Sequence, residues 1–164
     1  MASKLLCKIS TLLKILLILV SLAACTPAPP VSTSTPQPSP TATAAVCQPS
    51  EIQTSNSGFD EIEGTMHSDG SVWALLFFQT AYTKEELKIV WRVTGEEILT
   101  VEARHGDGTV VLPIWGPESH TGSNWNRPGG EWGTGFNFPK PGCWRLSATR
   151  GATVGEIRLD VLEP

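Results

Sequence analysis

The chain has 164 residues, 40% of them hydrophobic, with 12 basic side chains against 16 acidic ones and a net charge of −4 when the histidines are neutral. That length holds one small domain with a core of its own. With no compact basic cluster, the acidic balance argues against nucleic acid as a partner.

The first predicted element is a targeting segment. Lys4, Lys8 and Lys14 flank or interrupt the opening apolar stretch, and no acid appears before Glu51. The apolar run Ile15 to Val20 is followed by Ser21-Leu22-Ala23-Ala24-Cys25. A positive end, a short apolar core and small residues before a cleavage point form a secretory signal, here residues 1–24. The core is too short for a transmembrane helix, which needs about 20 apolar residues. Leu22-Ala23-Ala24-Cys25 resembles the bacterial lipobox, in which the cysteine is lipidated and the chain before it removed. The alternative is an ordinary signal peptide with a coincidental cysteine. The lipobox resemblance implies a lipoprotein held to a bacterial membrane by acyl chains, facing the periplasm or the cell exterior. At about 0.8 kcal/mol per buried methylene, two or three chains anchor stably. Removal of Lys4, Lys8 and Lys14 leaves nine basic residues against 16 acidic, so the mature chain is about −7.

Residues 25–46 follow as the lipidated cysteine and a linker. Positions 26–46 contain six prolines, no aromatic and no charge, so they cannot build a core. A polyproline II spacer rises about 3.1 Å per residue and holds the domain up to roughly 60 Å off the membrane.

Residues 47–164 form the domain, and their patterns are mostly β. Ser71 to Phe78 is apolar on both faces, as in a central sandwich strand. Thr83-Lys84-Glu85-Glu86 fits a capping box and allows at most one helical turn. Leu87, Ile89, Trp91 and Val93 then alternate with Lys88, Val90 and Arg92, and Leu99, Val101 and Ala103 with Thr100, Glu102 and Arg104. Gly106-Asp107-Gly108 turns the chain into Thr109 to Ile114, with Val110, Leu112 and Ile114 on one side. Trp144, Leu146 and Ala148 form another one-sided strand, and Arg150 to Thr153 connects it to Ile157, Leu159 and Val161. Short strands separated by turn signals predict an all-β, immunoglobulin-like antiparallel sandwich of about seven strands.

Phe136-Asn137-Phe138-Pro139-Lys140-Pro141-Gly142-Cys143-Trp144-Arg145-Leu146, closing on Ile157 to Val161, resembles the last two strands of PKD-type and related bacterial immunoglobulin-like domains. The likeness covers about a quarter of the domain, departs at Cys143, and implies a fold without an activity.

Cys47 and Cys143 are the cysteines of the mature domain, and export permits a disulfide between them. Cys143 is out of phase with the core-facing Trp144. The bond is therefore expected to pin the N-terminal lead-in across the outside of a sheet.

Residues 113–135 read as a long connection with six glycines, three tryptophans and a histidine. Connections of that length are functional or disordered, and Trp115, Trp125 and Trp132 argue against disorder. Either the tryptophans fold back as a cap, or they line a platform with His120, Asn124, Asn126 and Arg127 suited to a sugar ring. The cap is favoured, because large aromatics are mostly buried. The residues carried forward as a ligand site are Trp115, His120, Asn124, Trp125, Arg127 and Trp132.

No H-E-x-x-H, G-x-S-x-G, phosphate loop or C-x-x-C occurs, so nothing calls for a cofactor or a catalytic site. The expectation is a displayed binding module for a glycan or an envelope protein, not an enzyme. A metal-handling or enzymatic accessory protein using His67, His105 and His120 is the alternative.

Overall fold

The computed structural model describes residues 47–164. The signal segment, Cys25 and the proline-rich linker lie outside the described residues. Within them the protein is all-β. The strands are β1 (Gln53–Thr54), β2 (Asp60–Glu63), β3 (Thr65–Met66), β4 (Val72–Leu76), β5 (Ala81–Tyr82) and β6 (Leu87–Val93). They continue with β7 (Thr100–His105), β8 (Val110–Val111), β9 (Trp115–His120), β10 (Gly130–Phe136), β11 (Gly142–Arg150) and β12 (Thr153–Leu162). Sheet I has the order β1-β2-β4-β6-β10-β9 and sheet II the order β3-β12-β11-β7-β8. Pairing is antiparallel, except that β5 runs parallel to the end of β12.

The two sheets pack as a β-sandwich. Alternate residues of each long strand point to one side, and here the apolar set of each sheet meets the other. Ile62, Ala74, Ile89, Trp91 and Phe136 from sheet I meet Ala103, Trp144, Leu146, Ile157 and Val161 from sheet II, all fully buried. Trp91 donates its indole N–H to Thr134 Oγ1 at 2.8 Å, and Trp144 donates to the Lys140 carbonyl at 3.1 Å. Both large rings thus bury apolar area without orphaning their one donor. Phe138 lies in the crossing from β10 to β11, stacked on Phe136 and 4.9 Å from the Trp144 ring. The Phe-x-Phe-Pro-x-Pro-Gly stretch is therefore the bridge between sheets.

The structure revises three expectations. Twelve strands replace about seven, four of them only two residues long. The strand read over 109–114 shrinks to β8, with Leu112 67% and Ile114 55% exposed. At the rim of sheet II its alternation has no facing layer to bury against. The 83–86 segment, allowed at most one helical turn, is a plain turn: Lys84 adopts φ 62° and the Thr83 amide donates to the Leu162 carbonyl. Residues 113–135 are not one long connection, because β9 and β10 occupy most of them and leave a loop over 121–129.

The disulfide Cys47–Cys143 forms with Cα atoms 5.1 Å apart. It sits on the outer side of sheet II, out of phase with Trp144. The lead-in is also tied to β12, through Ser50 N to the Arg158 carbonyl at 2.9 Å and Arg158 N to Ser50 Oγ at 2.9 Å.

Candidate functional site: the outer face of sheet I

β4 cannot expose a polar outer side, because Trp73 and Leu75 occupy it, and Val90 of β6 stands beside them. The 121–129 loop covers this patch with Trp125, which is 4% exposed. Three groups hold the loop down. Trp125 donates its indole N–H to Glu61 Oε2 at 2.7 Å, and Ser123 Oγ accepts from the Trp125 amide at 3.0 Å. Arg127 stacks on the Trp73 ring at 3.9 Å and forms an ion pair with Glu61. Arg92 binds Glu131 at 2.9 Å and reaches the carbonyls of Arg127 and Gly129.

Glu61 is 1% exposed. Burial raises its pKa, but hydrogen bonds from Arg127 and Trp125, with the Arg127 charge, outweigh that and leave it below its ordinary value of 4.5. The carboxylate is thus charged inside the face and serves as the anchor of the loop.

The covering is incomplete, and the gap is a groove of about 180 Å³. Phe59 and Phe77, 43% and 41% exposed, form one end with ring centroids 4.7 Å apart. Lys88 Nζ lies 4.4 Å from the Phe77 centroid. Val90 and Leu75 line the groove below, and Trp125, Asn124, Ser123 and His120 form the opposite wall. A second, polar hollow of about 290 Å³ adjoins it, lined by Asn124, Trp125, Asn126, Arg127, Glu61 and the Ser55–Ser57 turn. Apolar ring faces beside amide, imidazole and hydroxyl groups bind a flat ligand with one apolar face and a polar rim.

Two glycines make room on this face. A Cβ on Gly133 would lie 2.6 Å from His120 Nε2, and one on Gly135 would run into the Trp115 indole. β9 therefore folds its long side chains down over β10 only because β10 has none there.

Of the residues read from sequence, His120, Asn124 and Trp125 come together on the groove. Arg127 stands in the adjoining hollow with Asn126. Trp115 lies apart, over Gly135, donating to Glu86 Oε1 at 2.7 Å. Trp132 points the other way, into the sandwich core, with Arg150 5.6 Å from its ring. The three tryptophans therefore share no open platform: Trp125 covers the outer face of sheet I, and Trp132 is a β10 residue packed against the core. Phe59, Phe77, Lys88 and Glu61 were not singled out in the sequence. The period-two pattern of Ser71 to Phe78 does place Phe77 on the side of Trp73 and Leu75, whereas Phe59 stands in a stretch with no pattern.

The three histidines are dispersed. His67 pairs with Glu156 at 3.0 Å, His105 with Asp107 at 2.9 Å, and His120 is on the other sheet. Among the described residues, no three or more His, Cys, Asp or Glu side chains group around a common point. No protein-family model, curated protein or solved structure matches the chain.

Proposed function

We propose that this chain is a lipid-anchored envelope protein whose sandwich binds a glycan in the groove on the outer face of sheet I. The run from Lys4 to Cys25 supports the anchor, and the proline-rich spacer supports display away from the membrane. The likeness of residues 136–161 to PKD-type domains supports an immunoglobulin-like fold for the displayed domain. One observation carries the binding reading: two half-exposed phenylalanines, their rings in contact and tilted by 36°, line an open groove together with Asn124, His120 and Trp125. Full burial of such a side chain contributes about 1.5–3 kcal/mol, and with Phe59 43% and Phe77 41% exposed a sugar face laid on them recovers part of it.

A Cys25→Ser chain found in the soluble fraction checks the anchor; one that stays with the membrane contradicts it. Titration of the detergent-solubilised full chain with cell-wall oligosaccharides, followed by tryptophan fluorescence, checks the groove. Trp125 in the wall is expected to report binding, and Phe59→Ala to weaken it about tenfold or more. No response to any glycan, or a response that Phe59→Ala leaves unchanged, contradicts the reading. Binding to an envelope protein instead would retain the groove and replace the ligand.

A further inference from the structure

The outer face of sheet II carries an arrangement that stability alone disfavours. Arg145 of β11 is directly opposite Arg158 of β12 on one side and Arg104 of β7 on the other. Like charges directly opposite each other destabilise a sheet, and here three stand in one row at the strand spacing of about 4.8 Å. Their side chains are 42–48% exposed.

The acids nearby do not neutralise the row. Buried Glu156 takes Arg158 at 3.0 Å and His67 at 3.0 Å, while Arg145 Nε approaches it only to 3.6 Å. Arg104 has an exposed pair with Glu102 at 3.2 Å. Two carboxylates therefore serve three guanidiniums and a histidine. Asp160, exposed on the same face two residues past Arg158, makes no ion pair with the row among the described residues. Each guanidinium carries five N–H donors. The row opens on a groove of about 700 Å³, within the range of small-ligand sites. Gln48 and the Cys47–Cys143 disulfide line it beside the three arginines, and no carboxylate does. On a chain that is acidic overall, this is a localised positive cleft with a covalently fixed wall.

We infer that the Arg104–Arg145–Arg158 row is an anion site for a ligand bearing phosphate or carboxylate groups, separate from the groove on sheet I. Guanidinium forks match both groups bidentately. A row crossing three strands suits a ligand with more than one charge, of the size of an anionic oligosaccharide or a sugar phosphate. The ligand fills the groove, and its anionic groups replace the water that screens the three cations.

The test is calorimetry on the full chain in detergent with two probes, tripolyphosphate and trigalacturonate, at low and high salt. At least one probe is expected to bind, and high salt to weaken it. Binding of tripolyphosphate alone assigns a phosphate ligand, and binding of trigalacturonate alone a carboxylate one. Arg145→Gln is expected to lower affinity about tenfold or more, since a hydrogen bond to a charged group contributes about 1.5–3 kcal/mol. Lys84→Gln removes the same charge from an exposed turn and is expected to change affinity less than twofold, about the scale of a screened surface charge. If Arg145→Gln does not fold, Arg104→Gln carries the same expectation. Failure of both probes to bind, or equal losses for Arg145→Gln and Lys84→Gln, overturns the proposal.

Discussion

Glu61 is where residue type and location conflict most. A carboxylate at 1% exposure is costly unless its oxygens are bonded, and here Trp125 and Arg127 occupy both. Removal of the charge by Glu61→Gln leaves Arg127 without its ion pair and is expected to cost about 1–3 kcal/mol in denaturant unfolding. The pH dependence follows from the direction of the shift. The folded-state pKa lies below the ordinary 4.5, so the stabilisation is complete above the unfolded value and is lost as pH falls through the folded one. Glu156 acts in the same direction: burial raises its pKa, and bonds from His67 and Arg158, with the charges of Arg145 and Arg158, lower it further than burial raises it. The thermal midpoint is therefore expected to drop as the solution is acidified below about pH 4.5, and less steeply in Glu61→Gln. A midpoint with the same acid dependence in both chains contradicts the role given to Glu61.

At the scale of elements, legibility tracks whether one face of a strand is buried. β6, β7, β11 and β12 alternate cleanly, and their apolar residues meet in the core. β4 reads as apolar on both sides for a reason the sequence does not disclose: its outer residues are covered by a loop fifty positions later. β9 and β10 were hidden because Gly116, Pro117, Gly130, Gly133 and Gly135 look like turn residues. Two of those glycines are strand residues whose missing side chains admit Trp115 and His120. β8 shows the converse, with good alternation and nothing to pack against. The candidate site was half legible: His120, Asn124 and Trp125 were found by composition, while Phe59 was not, because it stands just before β2 and its partner Phe77 just after β4, eighteen positions on. Register, which sets the Arg104–Arg145–Arg158 row, is a property of pairing and leaves no mark within any one strand.

The whole domain keeps its two outer faces distinct. Sheet I presents an aromatic and amide groove behind a pinned loop, and sheet II presents an arginine row beside a disulfide. That bond closes a loop spanning 96 positions, a constraint on the unfolded chain of about 4–5 kcal/mol in the entropy model. It also holds residues 47–50 against sheet II, on the face opposite the sheet I groove. The central claim is that the sheet I groove takes a glycan. The most direct measurement is amide chemical-shift mapping of the full chain as a cell-wall oligosaccharide is added. Shifts concentrated at Phe59, Phe77, Lys88, His120, Asn124 and the Trp125 indole are predicted. Shifts confined to sheet II, or none at saturating oligosaccharide, would contradict it.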